Sequence, residues 1–536
     1  MTQLTEKNFQ KIVLQVVGRL DVKIFDNKLS KRDRITFVDA MSIWVSMFFT
    51  KASLSEYTKK SLYFSLRRML CPLEEVDLVL FFDMLKEVDG LIRDHNITSC
   101  SQLRDNISPQ HRRLYGGFSP FLQADLEGLY IFRDVYSFKE NFKRIHDLLS
   151  FPSRITFVDV AGLEESAIAE YKEFEANYKI ASPSPYMISR ASELFPYSDI
   201  TKVAQSCRPK HGSGSVAEGT SDLLEKYKLL QPSSVMSYFY RHTDDDLSIP
   251  SFPFNRSESL VRRSRVTFVP KSSTKLRTIC MEPATLMYHQ QGAMSTLSTL
   301  LKRNDLSRRV KLQDQTQNRE LALEGSLTGD LCTIDLSNAS DSVGASFSKE
   351  LFRRTSLRDI VYLLRSSTAE LPDGTIIPLN KLSPMGSAIC FPIECIVFCL
   401  IIEDAIVACG DRPNTSRYSV YGDDLIIEKK YVSTLIDKLT EYGFYVNTSK
   451  SYYSNSWFSY RESCGGEYIN GFDVTPTKIS RKFSGFTGNY ATVVPTLIDV
   501  ANMLLDHGYD LARKMVLNHL PNLPILFSNN EGPFLR

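Results

Sequence analysis

The sequence predicts an α+β protein, on three observations. Two short apolar, β-favouring runs, Tyr418-Ser419-Val420 and Leu425-Ile426-Ile427, flank Tyr421-Gly422-Asp423-Asp424. That pattern reads as a hairpin of buried strands, because Gly reaches positive φ without steric cost and Asp tolerates a tight bend. A second β-rich run, Cys332-Thr333-Ile334, delivers Asp335 to a strand end, after which a Ser/Asn/Asp segment turns the chain away. Helical patterns fill much of the rest, as at Phe9 to Val17, Val76 to Val88 and Leu435 to Thr440.

With 536 residues, 43% of them hydrophobic, the chain can bury a large core and exceeds the usual single-domain size, so two to four subdomains are expected. The net charge is only +2, and any nucleic-acid contact must come from local basic patches. The N-terminal Met1 to Lys7 lacks the basic and apolar regions of a secretory signal. The most apolar stretch, Cys395 to Ile402, is bracketed by Glu394 and Glu403-Asp404 and is far shorter than the ~20 residues of a membrane span. A soluble protein is expected. Its ten cysteines include no Cys-x-x-Cys pair, so neither zinc nor a disulfide framework is supported. Cys390, Cys395 and Cys399 read as small hydrophobes within a buried helix.

Two adjacent anions on a rigid turn repel, and a divalent cation relieves that repulsion most directly; hard oxygen ligands suit magnesium or manganese. A Gly-Asp-Asp taken alone is more often a solvated turn. Joined by Asp335 from a neighbouring strand end, Asp423 and Asp424 could clamp two metals about 3.5–4 Å apart, as phosphoryl transfer requires.

Other segments carry charge or small residues. Lys210-His211-Gly212-Ser213-Gly214-Ser215 reads either as a connecting loop or as a close approach to a phosphate backbone. A boundary is expected in the polar, Pro-containing stretch Asp244 to Asn255. Beyond it, Arg265 to Lys271 and Lys275 to Ile279 alternate in strand fashion about a Ser272-Ser273-Thr274 turn, lining up cations on one face. These could hold a triphosphate or an RNA backbone, or form a solvated basic face. Ser383 to Glu394 reads as a small-residue loop entering a long buried helix, with Pro392 early in it and Gly410 as its terminator.

The run Asp335 to Asp341, the Tyr421-Gly-Asp-Asp hairpin and the segment Phe458 to Pro476 together resemble the RNA-dependent RNA polymerase (replicase beta subunit) of the positive-strand RNA bacteriophages, the levivirus type. The third segment, with Arg461-Glu-Ser-Cys-Gly and Gly471-Phe-Asp-Val-Thr-Pro, is the specific one, and the resemblance runs from about Arg256 to Pro476. It implies a right-hand polymerase: N-terminal region and fingers at 1–255, fingers with the basic hairpin at 256–330, a palm with a ferredoxin-like core at 331–470, and a thumb or C-terminal region at 471–536. It implies two Mg2+ ions, with Mn2+ as a substitute, on Asp335, Asp423 and Asp424. Lys271, Lys275 and Arg277 match the fingers motif that covers incoming triphosphates. Asp341 and Ser387, beside Gly386, match the ribose-sensing pair, although related replicases carry Asn where Ser387 stands. Lys450 matches a lysine that protonates departing pyrophosphate; a lone surface lysine is the alternative.

The activity implied is primer-independent copying of a phage RNA genome from ribonucleoside triphosphates, in the cytoplasm of the bacterial host. The partners implied are the RNA template and product, elongation factors Tu and Ts, and a ribosomal small-subunit protein. A reverse transcriptase shares the palm, but usually has a non-glycine residue before the paired Asp and a Pro-Gln-Gly loop in place of Pro384-Met385-Gly386. A non-enzymatic RNA-binding protein would explain the basic hairpin, yet it leaves carboxylates on buried strands without purpose, because acids repel a phosphate backbone.

Overall fold

A computed structural model describes residues 31–48, 75–94, 96–132, 135–154, 160–230, 262–271, 276–454, 457–479, 483, 485–486 and 488–520. The Phe9 to Val17 pattern, the Asp244 to Asn255 boundary and Lys275 lie outside the described residues. The chain forms two compact units, one of Met1–Leu163, Pro270–Leu276 and Val474–Arg536, the other of Glu164–Val269 and Arg277–Asp473.

The first unit is helical among its described residues. Helix Lys31–Phe48 buries Phe37, Met41, Trp44 and Val45. Trp44 packs against Phe81 and Phe118 and donates its indole N–H to the Leu148 carbonyl at 2.7 Å, so the large ring is buried without an orphaned donor. The Val76 to Val88 pattern lies within helix Glu75–Arg93. The C-terminal helices Tyr490–Asp506 and Asp510–Leu517 belong to the same unit: Tyr509 donates to Asp147 at 2.9 Å, and the Thr477 N–H reaches the same carboxylate at 2.6 Å.

The second unit carries the strands, β1 (Arg263–Pro270), β2 (Leu276–Met281), β3 (Leu331–Ile334), β4 (Leu336–Ser337), β5 (Thr368–Glu370), β6 (Ile376–Pro378), β7 (Tyr418–Tyr421), β8 (Asp424–Glu428), β9 (Tyr445–Val446), β10 (Tyr460–Ser463), β11 (Gly466–Ile469) and β12 (Phe472–Asp473). Its main helices are α1 (Pro185–Leu194), α2 (Ala284–Arg303), α3 (Thr316–Thr328), α4 (Ala345–Phe352), α5 (Cys390–Ala408) and α6 (Val432–Glu441).

The centre is an antiparallel sheet. β8 pairs with both β7 and β3, while β4, the continuation of β3 beyond Asp335, pairs with β9. Thr333 faces Ile426 on one side and Tyr452 on the other, which places the β9 segment on the far edge. The spatial order is therefore β9, β3/β4, β8, β7, with α4 and α5 between the first two strands in sequence and α6 between the last two: the expected ferredoxin-like arrangement.

Helix α5 is nearly all buried and packs against α6 and β7, which is why its apolar run reads as core and not as a span. Cys395 and Cys399 lie in this core. Two buried acids toward its C-terminal end are partnered: Glu403 accepts from Arg190 at 2.9 Å and Tyr418 at 2.8 Å, and Asp404 from Ser184 at 2.8 Å and Tyr442 at 2.7 Å. Among the described residues no helix is long and apolar enough to cross a membrane. The Gly/Ser loop is anchored to its surroundings, through the Gly212 carbonyl accepting from Lys226 at 2.8 Å and the Lys210 N–H donating to the Tyr288 carbonyl at 3.1 Å.

Candidate active site

The β7–β8 turn has the two-residue geometry that its sequence demands. Tyr421 pairs with Asp424, and Gly422 takes φ +62° at the first central position, the II′ pattern that suits the twist of a hairpin. A side chain at Gly422 would meet the Phe391 ring at 2.8 Å, so both φ and space exclude one. Asp423 sits exposed at the tip, and Asp424 is partly buried at the first position of β8.

Register brings the third carboxylate to these two. In the β3–β8 ladder Ile334 pairs with Leu425, so Asp335 and Asp424 occupy the next rung. Like charges facing each other across a ladder are destabilising, and the surroundings intensify this. Burial pushes the Asp335 carboxyl up to about 6, with Asp423 and Glu462 adding to the rise and Lys450 and the Asn447 amide opposing it. Burial likewise pushes Asp424 up to about 7, with further repulsion from Asp423, Asp335 and Glu462.

The β9 segment secures Asp335. Asn447 donates its side-chain amide to Asp335 Oδ2 at 2.8 Å and its backbone N–H to the Asp335 carbonyl at 2.9 Å, while Ser451 Oγ accepts the Asp335 N–H at 3.1 Å. Lys450 stands on the turn Thr448–Lys450 between these anchors, exposed and within electrostatic reach of Asp335.

The third motif supports the carboxylates from the other side. β10 and β11 are joined by Cys464 and Gly465, both at positive φ, and β11 and β12 by Asn470 and Gly471 in the same way, which makes two hairpins in succession. Asn318 of α3 donates to the Asp424 carbonyl at 3.1 Å, and Arg319 donates to the Cys464 carbonyl at 3.0 Å. Arg461 is fully buried, its Nε donating to the Leu331 carbonyl at 2.7 Å and so tying β10 to β3.

Asp341 lies on the short helix Ala339–Ser342 and is partly exposed. Its Oδ1 is 2.8 Å from Lys381 Nζ. Ser387 is buried, and its hydroxyl has no hydrogen-bond partner among the described residues. Gly386 has φ +118°, and a side chain there would strike the Cys280 carbonyl at 2.2 Å. The close approach has a purpose: the Cys280 N–H donates to the Met385 carbonyl at 2.8 Å, fastening the loop to β2.

β2 neighbours β1, and the two strands share a basic face. Val266 and Cys280 point into a small core with Tyr171, Ala369, Leu371 and Leu379, so Arg263 and Arg265 of β1 and Arg277 of β2 take the opposite face. Lys271 is exposed beyond the end of β1. Arg309, one of a further group of basic residues, is structural: its guanidinium donates to the Ser416 carbonyl at 2.7 Å and lies 4.4 Å from the Tyr418 ring centroid.

Sequence reasoning missed two acids. Glu462 on β10 raises both Asp335 and Asp424. Glu394, in the first turns of α5, is pushed well above the usual carboxylate range by burial, with Asp423 and Asp341 adding to it. Glu462 lay within a quoted motif, but nothing local marked its alignment with the other strands. Glu394 was visible only as a polar bracket to the apolar helix.

The donors around the β3 and β8 ends are hard carboxylate oxygens, and their raised pKa values mark negative charge without enough compensation, a combination that fits a divalent cation. No group of three or more His, Cys, Asp or Glu side chains among the described residues is already gathered as a metal site.

Two solved structures share this architecture. One, described as an RdRp complex, aligns over 89% of this chain and 48% of its own with a TM-score of 0.54 at 10% identity. The other, described as an RNA dependent RNA polymerase with vp4 and dsRNA, aligns over 91% and 47%, again with a TM-score of 0.54 at 10% identity. The chain has the right-hand fold of the RNA-dependent RNA polymerases.

Residues 223–489 match the family model described as RNA replicase, beta-chain. The RNA-directed RNA polymerase subunit beta of Enterobacteria phage SP is 35% identical over 218 residues, 41% of this chain and 36% of that protein. Its counterpart from Escherichia virus Qbeta is 34% identical over 230 residues, covering 43% and 36%. The beta chain of Escherichia phage MS2 is 33% identical over 222 residues, covering 41% and 38%. The matched stretch thus spans little more than a third of these relatives' length.

Proposed function

We propose that this chain is an RNA-directed RNA polymerase that copies a single-stranded RNA phage genome from ribonucleoside triphosphates. One observation carries the reading: the β3–β8 register aligns Asp335 with Asp424 on one rung, beside Asp423 on the turn. A protein gains no stability from three such anions, so their placement calls for a charged ligand.

Asp335, Asp423 and Asp424 would hold two divalent cations, magnesium or manganese. When bound, these would ease loss of the proton from the RNA 3′-hydroxyl and neutralise charge on the triphosphate. The chain's own groups do the rest. Asn447 and Ser451 fix Asp335 in place, and Gly422 fixes the turn. Arg277, Lys271 and Lys275 orient the triphosphate as charge develops on it. Lys450 supplies a proton to the leaving pyrophosphate. Asp341 and Ser387 contact the ribose, and the unpartnered Ser387 hydroxyl supports that role.

In this reading 331–470 is the palm, 256–330 adds the basic fingers hairpin to an N-terminal region at 1–255, and 471–536 contributes the thumb. The relatives' designation as beta subunits supports assembly with other chains, for which elongation factors Tu and Ts and a ribosomal small-subunit protein are the candidates, in the host cytoplasm.

The test supplies purified protein with an RNA template, a divalent cation and each class of nucleotide. Ribonucleotides should be incorporated, and Asp423→Asn or Asp335→Asn should abolish incorporation with the fold intact. Near-normal incorporation by either variant would remove the proposed centre.

A further inference from the structure

We infer that Lys381 is a positioning residue for ribose selection, acting through Asp341. The inference rests on the polymerase reading and assigns a determinant beyond it. Lys381 is fully buried, with its ammonium 2.8 Å from Asp341 Oδ1, 3.0 Å from Glu175 Oε1 and 4.1 Å from the Tyr171 ring centroid. A buried ammonium is costly unless it is paired, and this one is paired twice.

Its two partners are not equivalent. Glu175 is itself buried and fixed by the Asn380 N–H, which donates to Oε2 at 2.8 Å, while the Asn380 side chain donates to the Glu175 carbonyl at 3.0 Å. Asp341 keeps 24% of its side chain exposed. One cation between two anions leaves one negative charge over, and of the two carboxylates only Asp341 opens outward. Lys381 therefore anchors Oδ1 and leaves Oδ2 as an oriented acceptor.

The surroundings show why an anchor is needed. Asp341 lies within electrostatic reach of Glu394 and Cys390 on the first turns of α5, and Glu394 also feels Asp423. The Cys390 N–H donates to the Ser387 carbonyl at 3.2 Å, so the loop bearing the unpartnered Ser387 hydroxyl leads into the same turn. Without the Lys381 ammonium, Asp341 Oδ1 would lose the group that holds it, and the partly exposed carboxylate would turn out toward solvent. Held, it offers an acceptor and Ser387 a donor to a ribose hydroxyl. A site built to accept a hydroxyl's hydrogen bond rejects the analogue that lacks it.

The measurement is kcat/KM for ATP against 2′-deoxy-ATP on one RNA template. Lys381→Met should lower the preference for ATP by about tenfold. Because that change leaves Glu175 buried without its cation, the double variant Glu175→Gln/Lys381→Met, which removes a buried charge of each sign, is measured beside it and should fold and show the same loss. Added to Asp341→Asn, Lys381→Met should produce no further loss of preference. A folded variant with reduced activity but unchanged preference, or losses that add independently to those of Asp341→Asn, would overturn the inference. Failure of the parent protein to incorporate any ribonucleotide would instead strike the polymerase reading itself.

Discussion

Asp39 is held in helix Lys31–Phe48 with 9% of its surface exposed, accepting the Phe486 N–H at 2.7 Å. Burial pushes its carboxyl up to about 6, against smaller lowering effects from that hydrogen bond and from His519. The sign follows from linkage. The folded state binds the proton more tightly than the unfolded chain, so stability falls as pH rises from about 4 to about 6 and stays lowered above that. Asp39→Asn keeps an acceptor for Phe486 and removes the buried charge. Its unfolding midpoint should match the parent's near pH 4 and exceed it at pH 8, by the equivalent of about 1–3 kcal/mol. Equal gains at both pH values would show that ionisation is not the cause.

Elements differed in how far their sequence revealed them. The β7–β8 hairpin was fully legible because its rules are local: a Gly-Asp turn between apolar runs specifies strand, turn and register together. Asp335 was legible as a strand end, but its partner was not, since the β3–β8 ladder joins residues about ninety positions apart. Lys381 and Glu175 were missed for the same reason: no local pattern announces that a lysine before a Gly-Ser loop will be buried against a glutamate two hundred residues upstream. The third motif was recognised as a segment, yet the role of Arg461 appears only in space. Its guanidinium satisfies the Leu331 and Tyr460 carbonyls, each at 2.7 Å. Arg461→Met should fill similar volume but orphan both acceptors, lowering stability by roughly 2–4 kcal/mol. Chemical denaturation would measure this, and a change under about 0.5 kcal/mol would mean that the carbonyls find other donors.

For the whole molecule, the crowded carboxylates predict that divalent cations act on stability as well as on catalysis. Binding to the folded state alone raises the unfolding midpoint with ligand concentration. Magnesium or manganese should therefore raise the midpoint of the parent protein by a few degrees, and chelation should reverse the gain. Asp335→Asn and Asp423→Asn should reduce the response, an outcome readable by thermal melting without any nucleotide present. An undiminished response in both variants would place the cations elsewhere. A different consequence attaches to the smaller unit, whose early helices meet late ones: Ser46 Oγ lies 3.2 Å from Met515 Sδ, on helix Asp510–Leu517. During synthesis at about 5–20 residues per second, helix Lys31–Phe48 leaves the ribosome tens of seconds before that partner is made. Through that interval the side of the helix that bears Ser46 lacks its native cover, which exposes the nascent chain to aggregation until the late helices are made.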